Sequence, residues 1–140
     1  MKSDFKQNVL DKHPIFKIII GSHLLIENYL RIELQKKLIK PDALLTDNGP
    51  TFSELINICE ATGTIQSDLA KVLRQLNRLR NKYAHRFSYV PTEKDVDAFL
   101  DILKKMESPF FISGVPGNEN ELGYAIASLC GYFQRTYGEL

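Results

Sequence analysis

One stretch of this 140-residue chain gathers side chains that can handle a phosphate: Leu76-Asn77-Arg78-Leu79-Arg80-Asn81-Lys82-Tyr83-Ala84-His85-Arg86. A guanidinium pairs with phosphate oxygens through two parallel N–H donors, and an imidazole gives or takes a proton near neutral pH. Setting aside the apolar positions Leu69, Val72, Leu73, Leu76, Leu79 and Tyr83 leaves Arg74, Arg78, Asn81 and His85. Their steps of four, three and four put them on one stripe of a helix. Arg80 lies five residues before His85, about 140° round an ideal helix, and so flanks that stripe. Between residues 66 and 90, Lys71, Arg74, Arg78, Arg80, Lys82 and Arg86 stand against the single carboxylate of Asp68. The net charge of the whole chain is only +1, so its positive charge is concentrated here, a candidate footprint for phosphate. The helix dipole also draws cations to a C-terminus, and that alone accounts for a basic, solvated helix end.

These residues need a helix to carry them and others to hold it. The apolar positions Ile15, Ile18, Ile19, Leu24, Leu25, Tyr29, Leu30, Ile32, Leu34 and Leu38 recur mostly at three and four. They predict a long amphipathic helix stopped at Pro41, with Lys36, Lys37 and Lys40 near its end. Gly21 interrupts that pattern and marks a close helix crossing or a kink. Thr51-Phe52-Ser53-Glu54 has capping-box spacing and opens a helix over about 52–61, with Phe52, Leu55, Ile56, Ile58 and Cys59 inward and Gly63 as its stop. Ser67 is placed to cap the basic helix, over about 68–86. A further helix starts at Thr92-Glu93-Lys94-Asp95 with Val96, Phe99, Leu100 and Leu103 as its stripe. The last, over about 119–137, presents Leu122, Ala125, Ile126, Leu129, Cys130 and Phe133. A short helix over 4–12 has Phe5, Val9 and Leu10 on its apolar side. Residues 108–118, with Phe110-Phe111-Ile112, read as an irregular plug or a short extended piece. No stretch alternates at period two for long enough to make a sheet. The expected class is all-α: a single domain over 1–140, a bundle of about five helices.

The totals agree with an ordinary soluble domain: 44% hydrophobic and 25% charged residues, a length that suits one core. Cys59 and Cys130 have no CxxC spacing and no histidine pair beside them, so they read as buried free thiols, with no zinc site. The opening Met1-Lys2-Ser3-Asp4-Phe5-Lys6-Gln7 lacks the apolar core and cleavage site of a signal peptide, and the longest apolar run is too short to span a bilayer. The expectation is a cytoplasmic protein with no membrane contact.

Arg80-Asn81-Lys82-Tyr83-Ala84-His85, an arginine followed by a polar residue with the histidine after four intervening residues, resembles the motif of the HEPN superfamily. Arg78, six residues of spacing from His85, also satisfies it, but Asn81 behind Arg80 makes Arg80 the better match. The likeness extends to Gly21-Ser22-His23-Leu24-Leu25-Ile26-Glu27 on an early helix. With residues 76–85 this is similar to a prokaryotic HEPN-like group related to mannitol-operon-repressor-like proteins, covering about 14–105. The resemblance implies a helical domain that forms a homodimer in which the motif helices meet. In catalytic members the site is a metal-independent endoribonuclease that needs no cofactor. Carried over, His85 is the general base on the ribose 2′-hydroxyl, Arg80 holds the scissile phosphate, and Asn81 orients the phosphate or His85. Arg74, Arg78, Lys82 and Arg86 are then the flanking contacts to RNA. Some toxin members carry a tyrosine two residues after the histidine, a target for a partner nucleotidyltransferase. Here that position is Phe87, a departure that puts this mode of neutralisation in doubt. An antitoxin or regulatory protein is the other partner implied.

Other residues carry weaker readings. His23 and Glu27 are one helical turn apart but lack a third metal ligand. Glu27 is expected to pair with Arg31 or to reach the basic helix, where it would orient Arg80 from behind. Tyr83, Tyr124, Tyr132 and Tyr137 have a shape that stacks on bases, although helical spacing points to core packing. No Gly-rich phosphate loop or nucleophile elbow is present. Two functional expectations follow: a HEPN-like ribonuclease acting as a toxin or defence effector, or a non-catalytic HEPN-like module that binds a protein, a nucleotide or nucleic acid.

Overall fold

A computed structural model describes residues 14–85, 93–104 and 119–138. Among them are five α-helices and no strand: α1 (Pro14–Lys37), α2 (Phe52–Ala61), α3 (Ser67–His85), α4 (Glu93–Lys104) and α5 (Glu119–Tyr137). A 3₁₀ turn, Pro41–Ala43, follows α1. The protein is an all-α bundle, and among the described residues no helix is long and apolar enough to cross a membrane. The expected helix over 4–12 and the segment 108–118 lie outside the described residues.

Helix α3 packs against α1, α2 and α4, while α5 lies along α1 and touches α4. The basic helix is therefore held on three sides. Leu69, Val72, Leu73, Leu76, Leu79 and Tyr83 are all buried, joined by Ala70. On α1 the buried line is Ile19, Ile26, Tyr29, Leu30 and Leu34. Leu55, Ile56 and Cys59 of α2, Phe99 and Leu103 of α4, and Ile126, Leu129 and Phe133 of α5 complete one continuous core. The side chains of Val96 and Leu122 lie outside the described set.

Helix ends follow local chemistry. The Thr51 hydroxyl accepts from the Glu54 backbone N–H at 3.2 Å, and Glu54 Oε1 accepts from the Thr51 backbone N–H at 3.2 Å, the reciprocal capping box. The Thr51 hydroxyl also donates to Glu54 Oε1 at 2.8 Å, and this bond, followed by the one from the Thr51 backbone N–H, holds the Glu54 carboxyl below the usual carboxylate range. Gly63, at φ +72°, turns the chain out of α2, a conformation that side chains with a Cβ rarely adopt. Lys37 Nζ donates to the Gly63 carbonyl at 3.2 Å, fastening the end of α1 to that turn. Arg31 donates to the carbonyls of Thr46 and Pro50 at 3.3 and 3.1 Å, fastening the connection between α1 and α2. Both thiols are pushed up to about 11 by burial, that of Cys59 against a small opposing effect of Lys37.

Three expectations are corrected. Gly21 does not interrupt α1, which runs through it, and it marks no close crossing with the described residues, among which an added Cβ would meet nothing within 4 Å. Ile18, Leu24 and Ile32 are 39%, 58% and 40% exposed, because the stripe α1 buries is narrower than its apolar composition. Ser67 is the first residue of α3 and not a cap before it, and its side chain hydrogen-bonds Glu60 across the preceding turn.

Candidate functional site

The motif residues lie on the last three turns of α3, where the core stripe continues through Leu76, Leu79 and Tyr83. The apolar side chains fix the rotation of the helix and so decide which cations face out. Arg78 is exposed, and among the described residues it makes no hydrogen bond or ion pair. His85 is exposed at the C-terminal end of the helix. Arg86 lies outside the described residues.

The remaining cations are held by neighbouring elements. Arg74 reaches α2, where Nη2 meets Glu60 Oε1 at 2.6 Å and Asn57 Oδ1 at 2.9 Å. Hydrogen bonds from Arg74 and then Ser67 lower the Glu60 carboxyl below its ordinary range. Lys82 Nζ meets Asp95 Oδ1 of α4 at 2.5 Å. Two of the four expected RNA contacts, Arg74 and Lys82, are thus engaged in tying α3 to its neighbours.

Arg80 differs from both. It is half-buried, and its Nη1 donates to the Asn81 side-chain oxygen at 3.1 Å. Among the described residues no carboxylate lies within ion-pair distance of its guanidinium. Glu27, the residue expected to orient it if the two met, pairs instead with Arg31 at 3.7 Å. That pairing is the i,i+4 contact its own helix offers, and the shorter reach decides it.

His23 enters the site from α1. It is 6% exposed, with its ring centroid 4.1 Å from that of Phe52 of α2. Its Nε2 is shut off from solvent and has no hydrogen-bond partner among the described residues. Burial, and then the charge of Arg80, hold its pKa below the ordinary imidazole value, while Glu27 acts the other way. The polar cluster of this protein therefore spans two helices: Glu27 and His23 on α1, Arg80 and Asn81 on α3. Sequence reasoning weighed His23 only as a metal ligand, and among the described residues no group of three or more such side chains forms. The missed signal was positional: His23 falls in the line Ile19, His23, Ile26, Leu30, at steps of four, three and four, which is the buried side of α1.

The structure brings Arg80 and Asn81 into contact, with the charge of Arg80 acting on His23 of α1. His85 stands apart, since five residues turn an ideal helix by about 140° and advance it about 7.5 Å. Tyr83 is a core side chain at 3% exposure and is not placed to stack on a base. Compared with known proteins, the chain matches no family model, no curated protein and no solved structure.

Proposed function

We propose that this chain is a HEPN-like, metal-independent endoribonuclease, a toxin or defence effector, acting as a homodimer. In this reading Arg80 holds the scissile phosphate, His85 takes the proton of the ribose 2′-hydroxyl, and Asn81 positions the Arg80 guanidinium. The freed 2′-oxygen attacks phosphorus, the 5′-oxygen leaves with a proton from solvent, and a 2′,3′-cyclic phosphate remains. Arg80 opposes the charge that builds on the non-bridging oxygens, which is worth most in a partly buried place. A single observation carries the reading. On a helix whose Arg74 and Lys82 are ion-paired, the motif arginine has no carboxylate partner among the described residues, and Arg78 and His85 face solvent. Arg78 and Arg80 thus remain available to an outside anion, with the His85 side chain exposed on the same helix.

The angle between Arg80 and His85 keeps one helix from presenting both to the same phosphate. Two copies packed through the ends of α3 remove that difficulty, with the arginine of one chain and the histidine of the other forming each site. The same angle favours the second reading, a non-catalytic module akin to mannitol-operon-repressor-like proteins that binds a protein, a nucleotide or nucleic acid through Arg78 and its neighbours.

The test is cleavage of RNA by the purified protein in EDTA, beside Arg80→Ala and His85→Ala, with folding checked by circular dichroism. Removal of a general base or of a phosphate-stabilising donor is expected to slow cleavage by roughly 10²–10⁴-fold. Cleavage that persists undiminished in both variants, or no cleavage of any RNA, ends the nuclease reading.

A further inference from the structure

The fold leaves two polar groups over at the boundary of α1 and α3. His23 has a solvent-sealed Nε2 with no partner among the described residues. Arg80, whose charge acts on that ring, is half-buried and among the described residues its guanidinium hydrogen-bonds only the side-chain oxygen of its neighbour Asn81. Glu27, one turn beyond His23, is taken up by Arg31. Phe52 covers another side of the imidazole. Buried polar atoms in folded proteins nearly always have a partner, and a partly buried cation without a counter-charge is costly. One kind of ligand corrects both deficits, a small oxyanion.

We propose that the α1–α3 boundary at His23 and Arg80 is a phosphate-oxyanion site, where the anion pairs with the Arg80 guanidinium and accepts a hydrogen bond from Nε2 of a protonated His23. The site rests on the reading that Arg80 faces a phosphate, but it takes its second donor from α1 and not from His85. Nε2 is covered in the unliganded chain, so neighbouring side chains must give way to admit the anion. The charges acting on His23 are Arg80 from α3, which disfavours the imidazolium as burial does, and Glu27 from α1, which favours it. Helix α2 contributes the uncharged ring of Phe52. An anion on Arg80 cancels the first charge and leaves the second. Phosphate binding and proton uptake by His23 are therefore linked, and each strengthens the other.

The experiment is a histidine side-chain NMR titration over pH on the whole chain, with inorganic phosphate as the probe and chloride at matched ionic strength as the control. The His23 signal is assigned by its loss in His23→Gln, or by its ring contacts to Phe52 if that variant does not fold. Phosphate is expected to move the His23 titration midpoint upward while chloride leaves it in place. Arg80→Gln is expected to abolish that movement and to weaken phosphate binding roughly tenfold or more. A midpoint that phosphate leaves unmoved, or that chloride moves equally, overturns the site. RNA cleavage does not enter this readout. RNA that is cut while His23 ignores phosphate removes the site and keeps the nuclease, and phosphate-linked titration without RNA cleavage does the reverse.

Discussion

At the scale of single residues, the same side-chain type does opposite work depending on what faces it. Arg74 and Arg78 are one turn apart on α3, yet Arg74 is tied to Glu60 and Asn57 while Arg78 is exposed. Arg78→Ala is expected to weaken RNA binding and to reduce the steepness of its salt dependence by about one counterion. Arg74→Ala is expected to leave that slope in place and to lower the denaturant midpoint only slightly, because the pair is partly exposed and screened. Filter binding at several salt concentrations, beside denaturant midpoints, separates the two; equal salt slopes in both variants would remove the distinction. His23 makes a second prediction. Its pKa is lowered in the folded chain, so the unfolded chain binds the proton more readily. The stability linked to this group is fully present above the ordinary imidazole value of about 6.5. It is lost progressively as pH falls below that value toward the folded one. The thermal midpoint should therefore drop between neutral and mildly acidic pH, and His23→Gln should flatten that drop. An equal drop in the variant would assign it elsewhere. The spacing along α3 was enough to place Arg78 and His85 on its outward side, as observed. It did not disclose the partners of Arg74 and Lys82, because Glu60 and Asp95 lie on other helices and their approach depends on how those helices pack.

At the scale of elements, periodicity was legible and the width of each buried face was not. The expected spans of α2, α3 and α5 agree with the observed ones to within a residue or so, and the capping box at Thr51 and Glu54 has the geometry its spacing implies. Thr51→Ala removes the acceptor for the Glu54 backbone N–H and should cost about 1 kcal/mol. Leu76→Ala opens a cavity where α3 is held by its neighbours and should cost roughly 2–5 kcal/mol. Urea denaturation checks both, and a Leu76→Ala loss no larger than that of Thr51→Ala would contradict the central place given to α3. The misread element was α1. Its apolar residues surround much of the helix, and composition alone could not say that Ile18, Leu24 and Ile32 face outward. That no described residue lies close to Gly21 was equally hidden, since a glycine reads the same beside a close neighbour and beside none.

At the scale of the whole molecule, the bundle leaves Arg78 and His85 exposed toward the C-terminal end of α3, a helix packed against three others. If cleavage requires the ends of two α3 helices, activity per chain should fall on dilution through the dissociation range of the dimer. Sedimentation velocity over the same concentrations locates that range, and activity per chain that stays constant while dimers dissociate would exclude a shared site. Within α3, Leu69, Leu73, Leu76 and Leu79 hold the fold, while Arg78 and His85 take no part in the core. Sequence drift on the outward side of α3 therefore carries little penalty in folding. If the exposed side of α3 binds an anion as proposed, what it binds can diverge between lineages while the scaffold that displays it stays constant.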